Sequence, residues 1–216
     1  MKLTMLGLAL VAMVVLGTGA TATPLTLSLN DGSNSVTVQD GGVNDSNPAA
    51  GVVTWIGSIG VWTVNVTTGL GYPALGNLSW PHLDLNSVNI SSQAGTLTML
   101  LTQGGFTSPP PPAFLYSIGG TTQGNVTAYA CAGMALGDCE DVQLGPFSPT
   151  SFSGDAGFQL FDPGEDYSVG IKVILNHGQA GVSSFDAQVN SVPEPGTYAL
   201  IGAGLLGLGL LRRRLS

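Results

Sequence analysis

The stretch Tyr167-Ser-Val-Gly-Ile-Lys-Val-Ile-Leu175 decides the fold. Tyr167, Val169, Ile171, Val173 and Leu175 fall on every second position, which places them on one face of an extended strand. The next apolar series, Phe185, Ala187 and Val189, keeps the same period and closes the core side of a final strand. A helix would need apolar residues three and four apart, and no such stripe runs through this region.

Working back toward the amino terminus, the same period recurs. Leu25, Leu27 and Leu29 alternate with Thr26 and Ser28, and Val36 and Val38 follow the turn signal Asn30-Asp31-Gly32, so this pair reads as a hairpin. Val52 to Ile56 and Val61 to Thr67 are further strands, with Trp62, Val64 and Val66 on one face. Leu83 and Leu85 lie on one phase and Val88 and Ile90 on the other, a slip that predicts a β-bulge at Asn86-Ser87. Leu97, Met99 and Leu101 make another face before the prolines Pro109 to Pro112, which no central strand can hold. Phe114 to Ile118 and Val126 to Cys131 are weaker strands. About ten short strands separated by glycine-rich turns predict an all-β single domain, an antiparallel β-sandwich or jelly roll.

Both ends differ from this body. Lys2 precedes an apolar run to Leu16, and Ala20 and Ala22 form an A-x-A site, so residues 1–22 read as a secretory signal peptide and residues 23–190 as the domain. About 170 residues suffice for one domain with a real core. Of the 5 bases in the chain, only Lys172 lies in the body, against 12 acids from Asp31 to Asp186, a formal charge of −11. Such a surface repels nucleic acid and anionic membranes, and leaves divalent cations and hydroxyl-rich partners open.

Residues 191–216 are of another kind. Thr197 to Leu211 carries no charge and stops at Arg212, Arg213 and Arg214. As a helix this run is about 23 Å long at ~1.5 Å per residue, a marginal transmembrane span, with its arginines held on the cytoplasmic side. Pro193, Glu194 and Pro195 precede it. Pro-Glu-Pro, a Gly-rich apolar helix and a terminal arginine cluster together resemble the PEP-CTERM sorting signal of bacterial exported proteins. The resemblance implies processing by an exosortase, a membrane-embedded enzyme of bacteria that make exopolysaccharide. It also implies a chain anchored transiently in the inner membrane and then delivered to the cell surface or extracellular matrix. The body resembles other PEP-CTERM proteins more loosely, in runs such as Trp62 to Thr67 and Ser183 to Ala187, and that likeness implies no catalytic residue.

Within the body, Cys131 and Cys139 are the only cysteines, and an even count in an exported chain predicts a disulfide closing a local loop. The histidines His82 and His177 both sit at turn-like places and read as solvated loop residues. No G-x-S-x-G elbow accompanies the many serines, so no catalytic residue is assigned and the chain reads as a non-enzyme. Acids cluster at Asp138, Glu140 and Asp141, and at Asp162, Glu165 and Asp166. Either set could offer oxygen ligands to Ca²⁺, but neither has EF-hand spacing, and no metal or cofactor is assigned. Trp55, Trp80 and Tyr72 are aromatic candidates for stacking on sugar rings, and equally for packing. Three classes remain, in this order: a structural surface or matrix protein associated with exopolysaccharide, a carbohydrate-binding module, and a secreted hydrolase.

Overall fold

The computed structural model describes residues 23–108, 110–111, 113–136, 138–160 and 164–192. The expected signal peptide (1–22), the sorting residues Pro193, Glu194 and Pro195, the apolar helix and Arg212 to Arg214 lie outside the described residues. All regular structure in the described residues is strand: β1 Thr26–Asn30, β2 Ser35–Gln39, β3 Val52–Ile59, β4 Trp62–Leu70, β5 His82–Ser91, β6 Gly95–Phe106, β7 Ala113–Thr122, β8 Asn125–Gly133, β9 Val142–Phe147, β10 Ser151–Phe158, β11 Tyr167–His177 and β12 Gly181–Val192.

These strands form two six-stranded antiparallel sheets, β2-β1-β6-β11-β8-β9 and β10-β7-β12-β5-β4-β3. Strands β5 to β12 are shared between the sheets in the order of a jelly roll, β5-β12-β7-β10 facing β6-β11-β8-β9, with β8 and β9 forming a hairpin within one sheet. The hairpins β1–β2 and β3–β4 extend one side of each sheet. Along the long sides β9 lies beside β10 and β2 beside β3, so the exposed edges are short and covered.

The core is the set of inward phases read above. Leu27, Leu29, Met99, Leu101, Ile171 and Val173 from one sheet meet Leu83, Leu85, Tyr116, Ala187 and Val189 from the other, all fully buried. Each such aliphatic side chain contributes on the order of 1.5–3 kcal/mol of transfer free energy. Strand β12 runs to Val192, two residues past the expected boundary at 190, and is paired there with Ala113.

Four expectations need correction. Two more strands exist than the alternation revealed, β9 and β10; both are edge strands, and β10 presents Phe152, Gly154, Ala156 and Phe158 inward, two of them too small to register as apolar. The bulge expected at Asn86-Ser87 is absent. Strand β5 stays in phase throughout, burying Ser87, Asn89 and Ser91 behind Leu83 and Leu85 and turning Val88 and Ile90 outward. The irregularity lies instead in β4, where the register with β5 shifts between Val64 and Val66; Trp62 and Val64 are buried before it and Thr67 after it. The side chain of Val66 is outside the described set. Finally, His177 is not a solvated loop residue but 2% exposed.

That histidine accounts for the last polar residue of the β5 interior, Ser91. His177 continues the inward phase of Val173 and Leu175 at the end of β11. Its Nδ1 lies 2.7 Å from Ser91 Oγ and its Nε2 2.7 Å from Ser183 Oγ, which in turn lies 2.7 Å from Thr122 Oγ1. Its ring packs on Trp62 with centroids 4.7 Å apart. Strands β5, β7, β11 and β12 are thereby tied together across both sheets, and the hydroxyls of Ser91, Ser183 and Thr122 each have a partner. Burial holds His177 below the ordinary histidine pKa, which keeps the ring neutral.

Candidate functional site

Cys131 and Cys139 are bonded, with sulfurs 2.02 Å apart and Cα atoms 4.9 Å apart. The bond lies on the outer face of β11 against Gly170, where a Cβ would come within 2.9 Å of Cys131 Sγ. Lys172, the sole base of the body, emerges beside it. Its Nζ donates to Glu140 Oε1 at 2.7 Å and to Asp138 O, and sits 4.5 Å from the centre of the Tyr129 ring. Asp141 accepts from Ala132 N at 2.9 Å. Glu140 and Asp141 therefore fasten the loop with their carboxylates, and Asp138 does so with its backbone carbonyl. Among the described residues no three His, Cys, Asp or Glu side chains gather as a metal set. In the second acidic stretch Asp162 is outside the described residues.

Because this loop covers the outer face of β11 at Gly170 while the core covers the inner one, the disulfide also shields part of one sheet. Replacing Cys131 and Cys139 by serine should lower stability by about 2–3 kcal/mol, from the loop entropy of so short a ring. Denaturant melts of the oxidised wild type and the variant measure this directly, and equal midpoints would contradict it.

The outer face of the other sheet carries the most structured polar surface. Strand pairing sets Asp155 opposite Ser117, Ser117 opposite Gln188 and Gln188 opposite Asp84, forming one row across β10, β7, β12 and β5. The adjoining row is Ser153, Gly119, Asp186 and Asn86. A groove of about 510 Å³ runs over these rows between Asp155 and Asp186, floored by Gly119 and Gly154. A Cβ at Gly119 would meet nothing closer than 3.7 Å, so the groove exists because that side chain is missing, not because the backbone requires glycine.

Asp84 is half-buried at the rim of these rows. Burial first, and then the charge of Asp186, raise its pKa to about 6. Asn86 donates to its carboxylate, and Asn190 Nδ2 donates to Gln188 Oε1 at 3.1 Å. A carboxyl whose folded pKa exceeds the unfolded one favours folding only when protonated. That contribution is full below about 3.8 and disappears as pH rises through about 6. Asp84→Asn should therefore stabilise the protein at pH 7, by about 1 kcal/mol once solvent screening is discounted, and leave it unchanged at pH 4. Thermal melts at the two pH values test the sign; equal gains at both would refute it.

The residues singled out in the sequence distribute unevenly around this face. Trp55 and Tyr72 are half-buried and pack against the core, and Gln103 holds the Tyr72 backbone through both its N–H (2.8 Å) and its C=O (2.6 Å). Trp80 alone is exposed, outside the groove lining. The three aromatics thus form no common platform. His82 is half-buried at the start of β5, with burial lowering its pKa. The Ser–His contacts of His177 are sealed in the core, with Ser91 2% and Ser183 1% exposed, so no substrate reaches them. The groove acids Asp155 and Asp186, and Asp84 beside them, are not among the residues the sequence marks as candidates. Their signal was present, since Asp84-Leu85-Asn86 and Asp186-Ala187-Gln188 place polar pairs on the outward phase of adjacent strands.

Compared with known proteins, the chain matches the family described as the PEP-CTERM protein-sorting motif over residues 191–214. The match begins inside β12, whose last residues are Ser191 and Val192. The chain therefore carries the sorting signal of an exported protein that transits the membrane and is handled by an exosortase. No curated protein matches it. Among solved structures it is similar to TmCBM61 in complex with beta-1,4-galactotriose, at 6% identity, covering 62% of this chain and 90% of that one, with a TM-score of 0.28.

Proposed function

We propose that this protein is a structural component of the cell surface or extracellular matrix, exported and anchored through its C-terminal signal, released by an exosortase-like enzyme, and associated with exopolysaccharide once released. The observation that supports this most is the continuity of the motif with the domain. The sorting match starts within the last strand of a closed sandwich, so the signal's cargo is one compact β-domain. Its body has the formal charge of −11 that suits a hydrated polymer matrix and opposes nucleic acid.

A second reading, carbohydrate binding, draws on the groove over Gly119. Carboxylates at Asp155 and Asp186 accept hydrogen bonds from vicinal hydroxyls, and Ser117, Ser153 and Gln188 offer both donors and acceptors. Co-sedimentation of the purified protein with the producer's own exopolysaccharide tests association. Gly119→Val, which fills the groove floor on a strand position where a β-branched residue is tolerated, separates the readings. Retention lost in Gly119→Val with an unchanged melt supports a binding groove. Retention equal in both supports the structural reading, and no retention in either removes the polysaccharide from the account.

A further inference from the structure

The place where the chain leaves the sandwich has a surface of its own. Strand β12 is central in its sheet, flanked by β5 and β7. Its last residues are held on both sides: Ser191 N donates to Pro81 O at 3.1 Å, and Val192 pairs with Ala113. The loop leading into β5, residues 71–81, contains no charged residue, in a body with 12 acids. The acids at this end of the sandwich belong to the neighbouring connections, Asp40 and Asp45 before β3, Asp138, Glu140 and Asp141 before β9, Glu165 and Asp166 before β11; of these Asp40 comes up to the base of the loop, accepting from Gly51 N at 2.7 Å while Gly51 O accepts from Gly71 N at 2.9 Å.

The uncharged loop is braced. Thr107 N donates to Leu78 O at 2.8 Å, Ser79 Oγ lies 3.2 Å from Thr107 Oγ1, and Asn77 N donates to Trp80 O at 3.0 Å while its side chain accepts from Trp80 N at 2.9 Å. This fixed turn holds Trp80 38% exposed directly before Pro81. Leu115, on the strand paired to Asn190, is 39% exposed on the same sheet.

We propose that this uncharged rim, with Trp80 at its tip, docks on the lipid headgroup interface while the tail still tethers the domain. The proposal rests on the reading above that residues 197–211 enter the bilayer. Between Val192 and Thr197 the chain spans at most about 17 Å at ~3.4 Å per residue, so the rim is held next to the membrane and no long linker lets it away. Tryptophan gains most at that depth, where its ring meets the headgroups and its N–H stays hydrated. Residues 71–81 carry no carboxylate of their own, the next acid being Asp84 inside β5, so the side chains of the rim escape the repulsion that an anionic leaflet imposes on acidic surface.

Reconstitution of the full chain into phosphatidylcholine vesicles carrying a brominated lipid tests this. The other tryptophans, Trp62 in the core and Trp55 packed against it, provide the unquenched background. Bromine near the headgroups should quench part of the wild-type emission, and that quenched component should be lost in Trp80→Phe at an unchanged melting temperature. Identical quenching of the two proteins overturns the proposal, even if alkaline extraction shows the chain embedded. An unquenched Trp80 that is nonetheless needed for processing overturns it as well and assigns the rim to the processing enzyme. If the chain is not retained by the vesicles at all, the membrane reading falls and the docking proposal with it.

Discussion

Replacing Pro193, Glu194 and Pro195 by alanine, with residues 197–216 left intact, should leave the protein full-length and membrane-bound, while the wild type appears as a shorter form outside the membrane. Proline fixes φ near −65° and turns its predecessor away from helix, so a Pro-Glu-Pro sequence disfavours helix at these positions. Alanines in its place are good helix formers, and they would let the apolar helix grow backward toward Val192. The only charge between Asp186 and Arg212, Glu194, would vanish with it. Loss of processing should therefore be large, visible as disappearance of the short form in cell fractions. Equal processing of the two proteins would show that the apolar run and arginines act without the triad.

The second large effect concerns the core. Trp62→Ala should destabilise the domain by about 3–5 kcal/mol, a considerable fraction of the ~5–15 kcal/mol that holds a typical domain together. Trp62 is fully buried, donates its indole N–H to Thr96 O at 3.2 Å, and forms the wall on which the His177 ring rests. Its removal leaves a cavity, an unpaired carbonyl and a histidine free to tilt away from Ser91 and Ser183. Urea titration followed by far-ultraviolet circular dichroism measures the loss. A change below about 1 kcal/mol would mean that the polar clasp does not depend on this wall.

Much of the sandwich was legible because its strands follow a strict period of two. Tyr167 to Leu175 and Phe185 to Val189 were read in the phase in which they are buried, and the even cysteine count was enough for the disulfide. What stayed hidden was hidden for specific reasons. Ser87, Asn89 and Ser91 hold the inward phase of β5, but a reading that equates inward with apolar sees a slip at Asn86-Ser87 instead. Those side chains can be inward because other polar groups meet them there, on β5 itself, on its neighbour β4 and across the sandwich on β11: Asn89 Nδ2 donates to Ser87 Oγ at 2.8 Å, Thr67 Oγ1 lies 2.6 Å from Ser87 Oγ, and His177 faces Ser91. His177, Ser183 and Ser91 each continue the phase of the apolar residues next to them, so extending the alternation through polar positions would have found the clasp.

Strand β10 was missed because Gly154 and Ala156 stand where larger side chains would have marked the phase. At Gly154 there is little room for more, because Phe147 from the neighbouring edge strand lies 3.0 Å from a Cβ built there. The groove was invisible for a related reason. Its floor is an absence at Gly119, and its acids Asp155 and Asp186 come from two strands, β10 and β12, whose order no local pattern reveals.

The central claim is that the tail delivers a compact β-domain and is then removed. Intact-mass measurement of the non-reduced protein recovered from the surface or matrix fraction tests it most directly. The account predicts a single chain that begins after the A-x-A site at Ala20 to Ala22, contains the bonded Cys131 and Cys139, and ends before Thr197. A chain in that fraction that still carries residues 197–216 would contradict it.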